Sequence, residues 1–202
     1  MSTPPALGLL ELDSIAHGIL VGDAMIKKAP LTHLYTGTIH PGHYLLLAIG
    51  DVAPVEEALA AGQIAAAQTG TPHPCRDQLF LPFAHPAIVN ALQNNTPTTT
   101  LGEAFTIIET HTVAAAIRAT DAACKGADII LWQLRLGDGL GGKGLALFNG
   151  RIADVEAARD LATTAAGDHL FRHTIIPQLH PEMLPNLIPP AHFGTHYNWQ
   201  AT

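Results

Sequence analysis

Two turns carry the residue types in this chain that are suited to chemistry. The later one reads Gly137-Asp138-Gly139-Leu140-Gly141-Gly142-Lys143. Its Gly-x-x-x-x-Gly-Lys spacing resembles a phosphate-cradling loop, and Gly139-x-Gly141-x-x-Gly144 fits a dinucleotide fingerprint. Both chemistries need a strand that feeds into a helix, so that the phosphate meets the helix N-terminus. Here the loop runs into Gly144-Leu-Ala-Leu-Phe-Asn149, which reads as a strand, and Gly144 stands where the magnesium-binding Ser or Thr belongs. Nucleotide binding is therefore disfavoured. Small residues let other backbone approach the loop closely and leave its amides open to anions. The earlier turn, Thr38-Ile39-His40-Pro41-Gly42-His43, presents imidazole, which titrates near neutrality and ligates metals.

The remaining candidates read more blandly. His85 and His180 belong to a repeated Pro-x-x-His-Pro signature and read as structural. His169 and His173 fall on one face of an expected strand, and His192 and His196 lie near the C-terminus; both pairs read as solvated. Cys75 and Cys124 are too few and too unlike in context for a disulfide framework or an all-thiolate metal site, and fit a reducing cytosol. Cys75 reads as a surface-loop thiol. No nucleophile–base–acid set recurs, so no enzyme is expected.

The elements that position these turns come in two copies. Ala6-Leu-Gly-Leu-Leu-Glu11, Asp23-Ala-Met-Ile-Lys27, Gly50-Asp-Val-Ala-Pro-Val-Glu56 and Pro82-Phe-Ala-His85-Pro86 are answered by Ala104-Phe-Thr-Ile-Ile-Glu109, Asp121-Ala-Ala-Cys-Lys125, Gly150-Arg-Ile-Ala-Asp-Val-Glu156 and Pro177-Gln-Leu-His180-Pro181. Asp23 and Asp121 are 98 positions apart, Gly50 and Gly150 are 100 apart, and the change falls at the turns, the second being two residues longer. A repeat of this length means two copies of one small domain. The expected division is 5–93 for the first, 94–103 for a polar linker, 104–188 for the second and 189–202 for a surface tail.

Within the first copy, Leu7–Leu12 reads as a strand. Ser14 caps a helix reaching about Ala29, with Ile15, Ile19 and Ile26 among its buried positions. Strands follow near Leu31–Ile39 and His43–Ile49, then an Ala-rich helix over Val52–Ala67, a strand at about Gln78–Pro82 and a short helix after Pro86. The second copy repeats the order through Phe105–Glu109, Val113–Lys125, Ile129–Leu136, Gly144–Asn149, Val155–Ala166 and Leu170–Ile176. This is an α+β sandwich of ferredoxin-like character.

Composition narrows the function classes. A net charge of −7 with pI near 5.9 offers no basic face for nucleic acid. The first residues, Met1-Ser-Thr-Pro-Pro5, lack the basic and apolar regions of a secretion signal. Apolar residues make up 48% of the chain, but no run approaches the ~20 residues that cross a lipid membrane. Charged residues are 13%, about half the usual share, so much of the surface is expected to be covered by other subunits.

The Gly8-x-x-Glu11, Asp-Ala-x-x-Lys, Gly50-Asp-Val-x-x-Val55 and His-Pro patterns, with the matching segments of the second copy, resemble bacterial microcompartment shell proteins, in the unpermuted tandem-domain branch. The resemblance implies two BMC domains per chain and a flat pseudohexameric homotrimer. Such a trimer tiles with hexameric and pentameric shell proteins and passes small metabolites through a central pore, in the bacterial cytoplasm. It implies pore lining by Thr38, Ile39, His40, Pro41 and Gly42 and by Gly137, Asp138, Gly139, Leu140, Gly141 and Gly142. It places Lys27 and Lys125 at the tiling edge, beside Phe83 and Gln178, which stand where many members have Arg. One subclass holds an iron–sulfur cluster on the three-fold axis through a Cys in the turn that here reads Ile39-His40-Pro41-Gly42. His40 in place of Cys argues against a cluster. Three imidazoles on that axis fit plain pore lining or a divalent metal. The competing readings are a ferredoxin-like sensor of a small ligand and an axial-metal redox module.

Overall fold

The computed structural model describes residues 5–92, 102–137 and 139–187. Asp138, most of the expected linker, the expected tail with His192 and His196 lie outside the described residues.

The first copy runs β1 (Ala6–Leu12), α1 (Ile15–Lys28), β2 (His33–Ile39), β3 (His43–Gly50), α2 (Val52–Ala67), β4 (Cys75–Leu81) and α3 (Pro86–Leu92). The second runs β5 (Ala104–Thr110), α4 (Val113–Gly126), β6 (Ile130–Leu136), β7 (Gly144–Gly150), α5 (Ile152–Ala166) and β8 (Leu170–Ile176). Each copy folds into a four-stranded antiparallel sheet, ordered β2-β3-β1-β4 and β6-β7-β5-β8. The α+β, ferredoxin-like expectation is thus met in both halves.

The central strand β1 is buried on both faces because its side chains alternate. Leu10 and Leu12 pack with Val21, Met25, Val55 and Ala58 beneath α1 and α2. Leu7 and Leu9 point the other way, against Val113, Ala114 and Ile117 of α4. The second domain therefore covers the face that the first domain's own helices leave bare. Helix α4 is sandwiched: Ala119 and Ala123 meet Ile108 and Phe148 of their own sheet, while Val113 and Ile117 meet the first. A fully buried Leu or Ile contributes about 2 kcal/mol, so this junction is a substantial part of the fold's stability.

Helix α1 corrects the expected burial of Ile15, Ile19 and Ile26. They are 39%, 58% and 59% exposed, and the inward stripe is Gly18, Val21, Gly22 and Met25. Glycines hide that stripe from an apolar count, yet close packing requires them: a Cβ on Gly18 would lie 2.4 Å from Tyr44 Cδ1. Cys75 also departs from expectation, since it opens β4 and is half-buried. His169 closes a 3-10 turn, Gly167–His169, ahead of β8, so it does not share a regular strand with His173.

Candidate functional site

The junction between the domains is built from side chains that the repeat alone did not single out. Glu11 follows Leu7 and Leu9 on the face of β1 that meets α4. Fully buried, it accepts a 2.9 Å hydrogen bond at Oε2 from the Val113 N–H, at the start of α4. A carboxylate there satisfies one of the unpaired first-turn amides and meets the positive end of the helix. Burial nevertheless raises the Glu11 pKa from 4.5 to about 7, opposed by the Val113 bond and by Arg76, whose Nε lies 3.4 Å from Oε1. Arg76 also donates to the His111 carbonyl at 3.1 Å.

Beside it, Asp77 accepts from the Thr112 hydroxyl at 2.5 Å and from Arg118 at 3.1 Å. Thr112 in turn caps α4 by accepting from the Ala115 N–H. Further along the helix, Asp121 accepts from the His85 N–H at 2.9 Å, and Lys125 donates to the Phe83 carbonyl at 2.6 Å while pairing with Asp121. The closing motif of the first copy is therefore docked on the Asp-Ala-x-x-Lys motif of the second. Lys27, the matching lysine, pairs with Asp23 at 2.5 Å on an exposed surface; Phe83 and Gln178 are exposed as well.

The two turns are brought side by side. A Cβ on Gly142 would stand 2.9 Å from the His40 carbonyl oxygen, and one on Gly137 2.5 Å from Ile39 Cδ1. Both glycines also have positive φ, +80° and +77°, so side chains are excluded by space and by backbone conformation. The 137–143 loop closes on itself through Gly137 N–H to the Lys143 carbonyl at 3.0 Å, then enters β7. It does not enter a helix, so the phosphate-loop geometry is absent. Ile39 is buried at the contact, whereas Thr38, His40, Pro41 and Gly42 are exposed. The His40–Pro41 peptide is cis. A hollow of about 350 Å³ is lined by Ile15 and Thr38–Gly42, on the open side of this turn.

Neither thiol lies in the His40 turn: Cys75 is in β4 and Cys124 in α4. Burial pushes both thiols up, Cys124 to about 12 with Asp121 adding to the effect. Among the described residues, no group of three or more His, Cys, Asp or Glu is gathered for a metal within one chain. The junction set of Glu11, Arg76, Asp77 and Arg118 escaped sequence reasoning. The available signal was a Glu repeated at the end of two otherwise apolar strands.

Comparison with known proteins accounts for this architecture. The BMC domain family matches residues 6–74 and again 104–179. The bacterial microcompartment shell protein PduT of Citrobacter freundii is 36% identical over 180 residues, covering 88% of this chain and 95% of that protein. The shell protein EutK of Salmonella typhimurium is 42% identical over 65 residues, 32% of this chain and 40% of that protein. A microcompartments protein from Desulfitobacterium hafniense superposes with a TM-score of 0.76 at 35% identity, covering 90% of this chain and 99% of that one. The fused permuted hexameric shell protein of the RMM microcompartment shares the fold alone, with a TM-score of 0.57 and 23% identity over 80% of this chain and 83% of that one. Two domain matches in one chain, with a shell-protein relative spanning nearly its whole length, establish that this protein belongs to the BMC-domain family of bacterial microcompartment shell proteins, as a tandem-domain member with a structural role.

Proposed function

We propose that three copies of this chain close head to tail into a flat pseudohexameric tile whose central pore is bordered by both turns. One observation carries the reading. Val113 and Ile117 of α4 are fully buried by the first domain, while Ile15 and Ile19, at the matching positions of α1, are exposed. The repeat uses one of its two equivalent faces within the chain and leaves the other open. A third of the ring is thus already built, and repeating its internal contact between chains closes it.

In that ring the Thr38–Gly42 and 137–142 turns alternate around the axis, giving a path for small metabolites through the shell. Lys27, Lys125, Phe83 and Gln178 lie at the rim, where neighbouring hexameric and pentameric shell proteins tile. Such a tile belongs in a shell within the bacterial cytoplasm. Electron microscopy of concentrated protein tests this: flat hexagonal particles or sheets with a central hole support it, whereas discrete dimers overturn it and favour a ligand sensor.

His40 favours a second, narrower reading. Its turn offers imidazole and no thiol, a donor set that fits a divalent ion such as zinc and does not fit an iron–sulfur cluster. Three copies would supply His40 as the axial ligand. Metal analysis of purified trimer and of His40→Ala tests it: loss of stoichiometric metal in the variant supports the site, and unchanged content excludes it.

A further inference from the structure

Sheet register aligns the two domain edges residue by residue. Glu11 stands opposite Asp77 across β1 and β4, and Glu109 stands opposite Arg172 across β5 and β8. Arg76 therefore corresponds to Phe171 and Asp77 to Arg172. On the receiving helices, His111, Thr112, Val113, Arg118 and Asp121 correspond to Asp13, Ser14, Ile15, Leu20 and Asp23. Inside the chain, the acidic Asp77 meets Arg118. On the open surfaces the signs change: Arg172 replaces the acid, Leu20 replaces the arginine, and Asp13 stands in place of His111.

Glu109 has a basic neighbour, as Glu11 has in Arg76. Its Oε2 accepts from Lys143 at 2.9 Å, with a third of its side chain exposed. Lys143 sits 4.4 Å above the Phe171 ring, which packs edge-on against His111 at 5.1 Å. Lys143 thus takes the part that Arg76 plays beside Glu11. Across the open gap, α1 has the same start as α4: a hydroxyl cap, Ser14 bonded to the His17 N–H, then an apolar first residue. That first residue, Ile15, lines the hollow with the Thr38–Gly42 turn. In the chain's own junction, the corresponding place beside Val113 and Gly137 is filled by Ile39 of the first domain.

Resting on the ring reading above, we infer that Glu109 is the positioning residue of the contact between copies, its carboxylate capping the N-terminus of α1 in the next copy as Glu11 caps α4. Arg172 then faces Ser14 and Leu20 of the next copy, as Asp77 meets Thr112 and Arg118, with Asp13, paired to His43 and Arg76 of its own copy, at the same border; the two junctions become electrostatically distinct. Pairing α1 with the Asp77 edge brings acid against acid, so β8 is selected as its partner and the order of domains around the ring is fixed. Because Lys143 ends the glycine loop, the same ion pair ties the pore turn to the ring-closing contact.

The test is sedimentation velocity of the full chain through dilution and urea series, with circular dichroism recording the folded fraction. Wild type sediments as a trimer. Glu109→Gln, nearly isosteric and partly exposed, still offers an oxygen to the Ile15 N–H but removes the charge from the helix N-terminus at all three contacts, and raises the concentration for half-dissociation about threefold or more. The double variant Glu109→Lys/Lys143→Glu keeps the internal ion pair but sets a cation against the helix N-terminus, and dissociates at least as readily. Arg172→Glu, on the exposed edge, does the same. If wild type is a trimer and these variants dissociate as it does, the role of Glu109 is overturned while the ring stands. If the charge-swapped variant recovers wild-type affinity, Glu109 acts only within its own chain. A monomeric wild type overturns the ring and this contact together.

Discussion

The buried carboxylate of Glu11 holds the first amide of α4, Val113, across 102 residues of sequence. One hydrogen bond thereby joins a central strand of one BMC domain to the helix of the other. Around it, the paired Leu7 and Leu9 meet Val113 and Ile117, so the polar contact sits at the margin of an apolar junction.

The burial of that carboxyl predicts a particular pH dependence. The folded Glu11 carboxyl titrates at about 7, above its ordinary 4.5. A raised carboxyl pKa lends stability fully below about 4.5, and this stability is lost as pH rises through about 7. Glu11→Gln removes the proton from play and still offers an oxygen to Val113. The difference in unfolding free energy between wild type and variant is expected to drift by about 1–3 kcal/mol against wild type from pH 5 to pH 8. Urea unfolding at both pH values measures it.

Glycines in the second turn separate two kinds of constraint. Gly142 and Gly141 both have positive φ, but only Gly142 faces backbone, at the His40 carbonyl. Gly141→Ala is expected to cost about 1 kcal/mol through backbone conformation alone. Gly142→Ala costs more and shifts the His40 turn with it. Chemical denaturation ranks the pair, and backbone amide shifts at His40 and Gly42 report the displacement.

How far the sequence could be read follows the same division. Strand and helix order were legible because apolar alternation and helix caps are local signals; α2 and β8 begin and end where the pattern puts them. The altered spacing of the repeat marked the two turns, but their packing against each other, Gly142 on His40 and Gly137 on Ile39, was not legible there. The face of α1 was not. Ile15, Ile19 and Ile26 look like core by hydropathy, whereas the true core stripe is made partly of Gly18 and Gly22, whose value lies in what they let Tyr44 and Leu46 do. The junction acids were hidden for another reason. Glu11 and Asp77 meet α4 only through tertiary structure, and nothing in their local spacing marks a long-range cap.

Matched positions on α1 and α4 should respond oppositely. Ile117 is fully buried, so Ile117→Glu is expected to cost about 4 kcal/mol or more and to leave little folded protein. Ile19 is 58% exposed, so Ile19→Glu leaves monomer stability within about 0.5 kcal/mol but weakens association. Thermal unfolding and sedimentation of both variants check the contrast. Equal loss of stability in the two would contradict an open, assembly-ready face.

Lys125 should behave as a clasp. It joins Asp121 to the Phe83 carbonyl, half exposed, so Lys125→Ala is expected to lower stability by about 1 kcal/mol. Lys27→Ala, whose pair with Asp23 is exposed, has little effect on the isolated chain but a larger one on assembled sheets. Urea unfolding reads the first effect and electron microscopy of sheet formation the second.

The central claim is that one internal domain contact, repeated between chains, closes a three-membered ring. Its most direct measurement is the solution mass by light scattering at micromolar concentration. The account predicts about 64 kDa, three times the 21.3 kDa chain. A stable particle of 21.3 kDa, with Ile15 and Ile19 left in water, would contradict it.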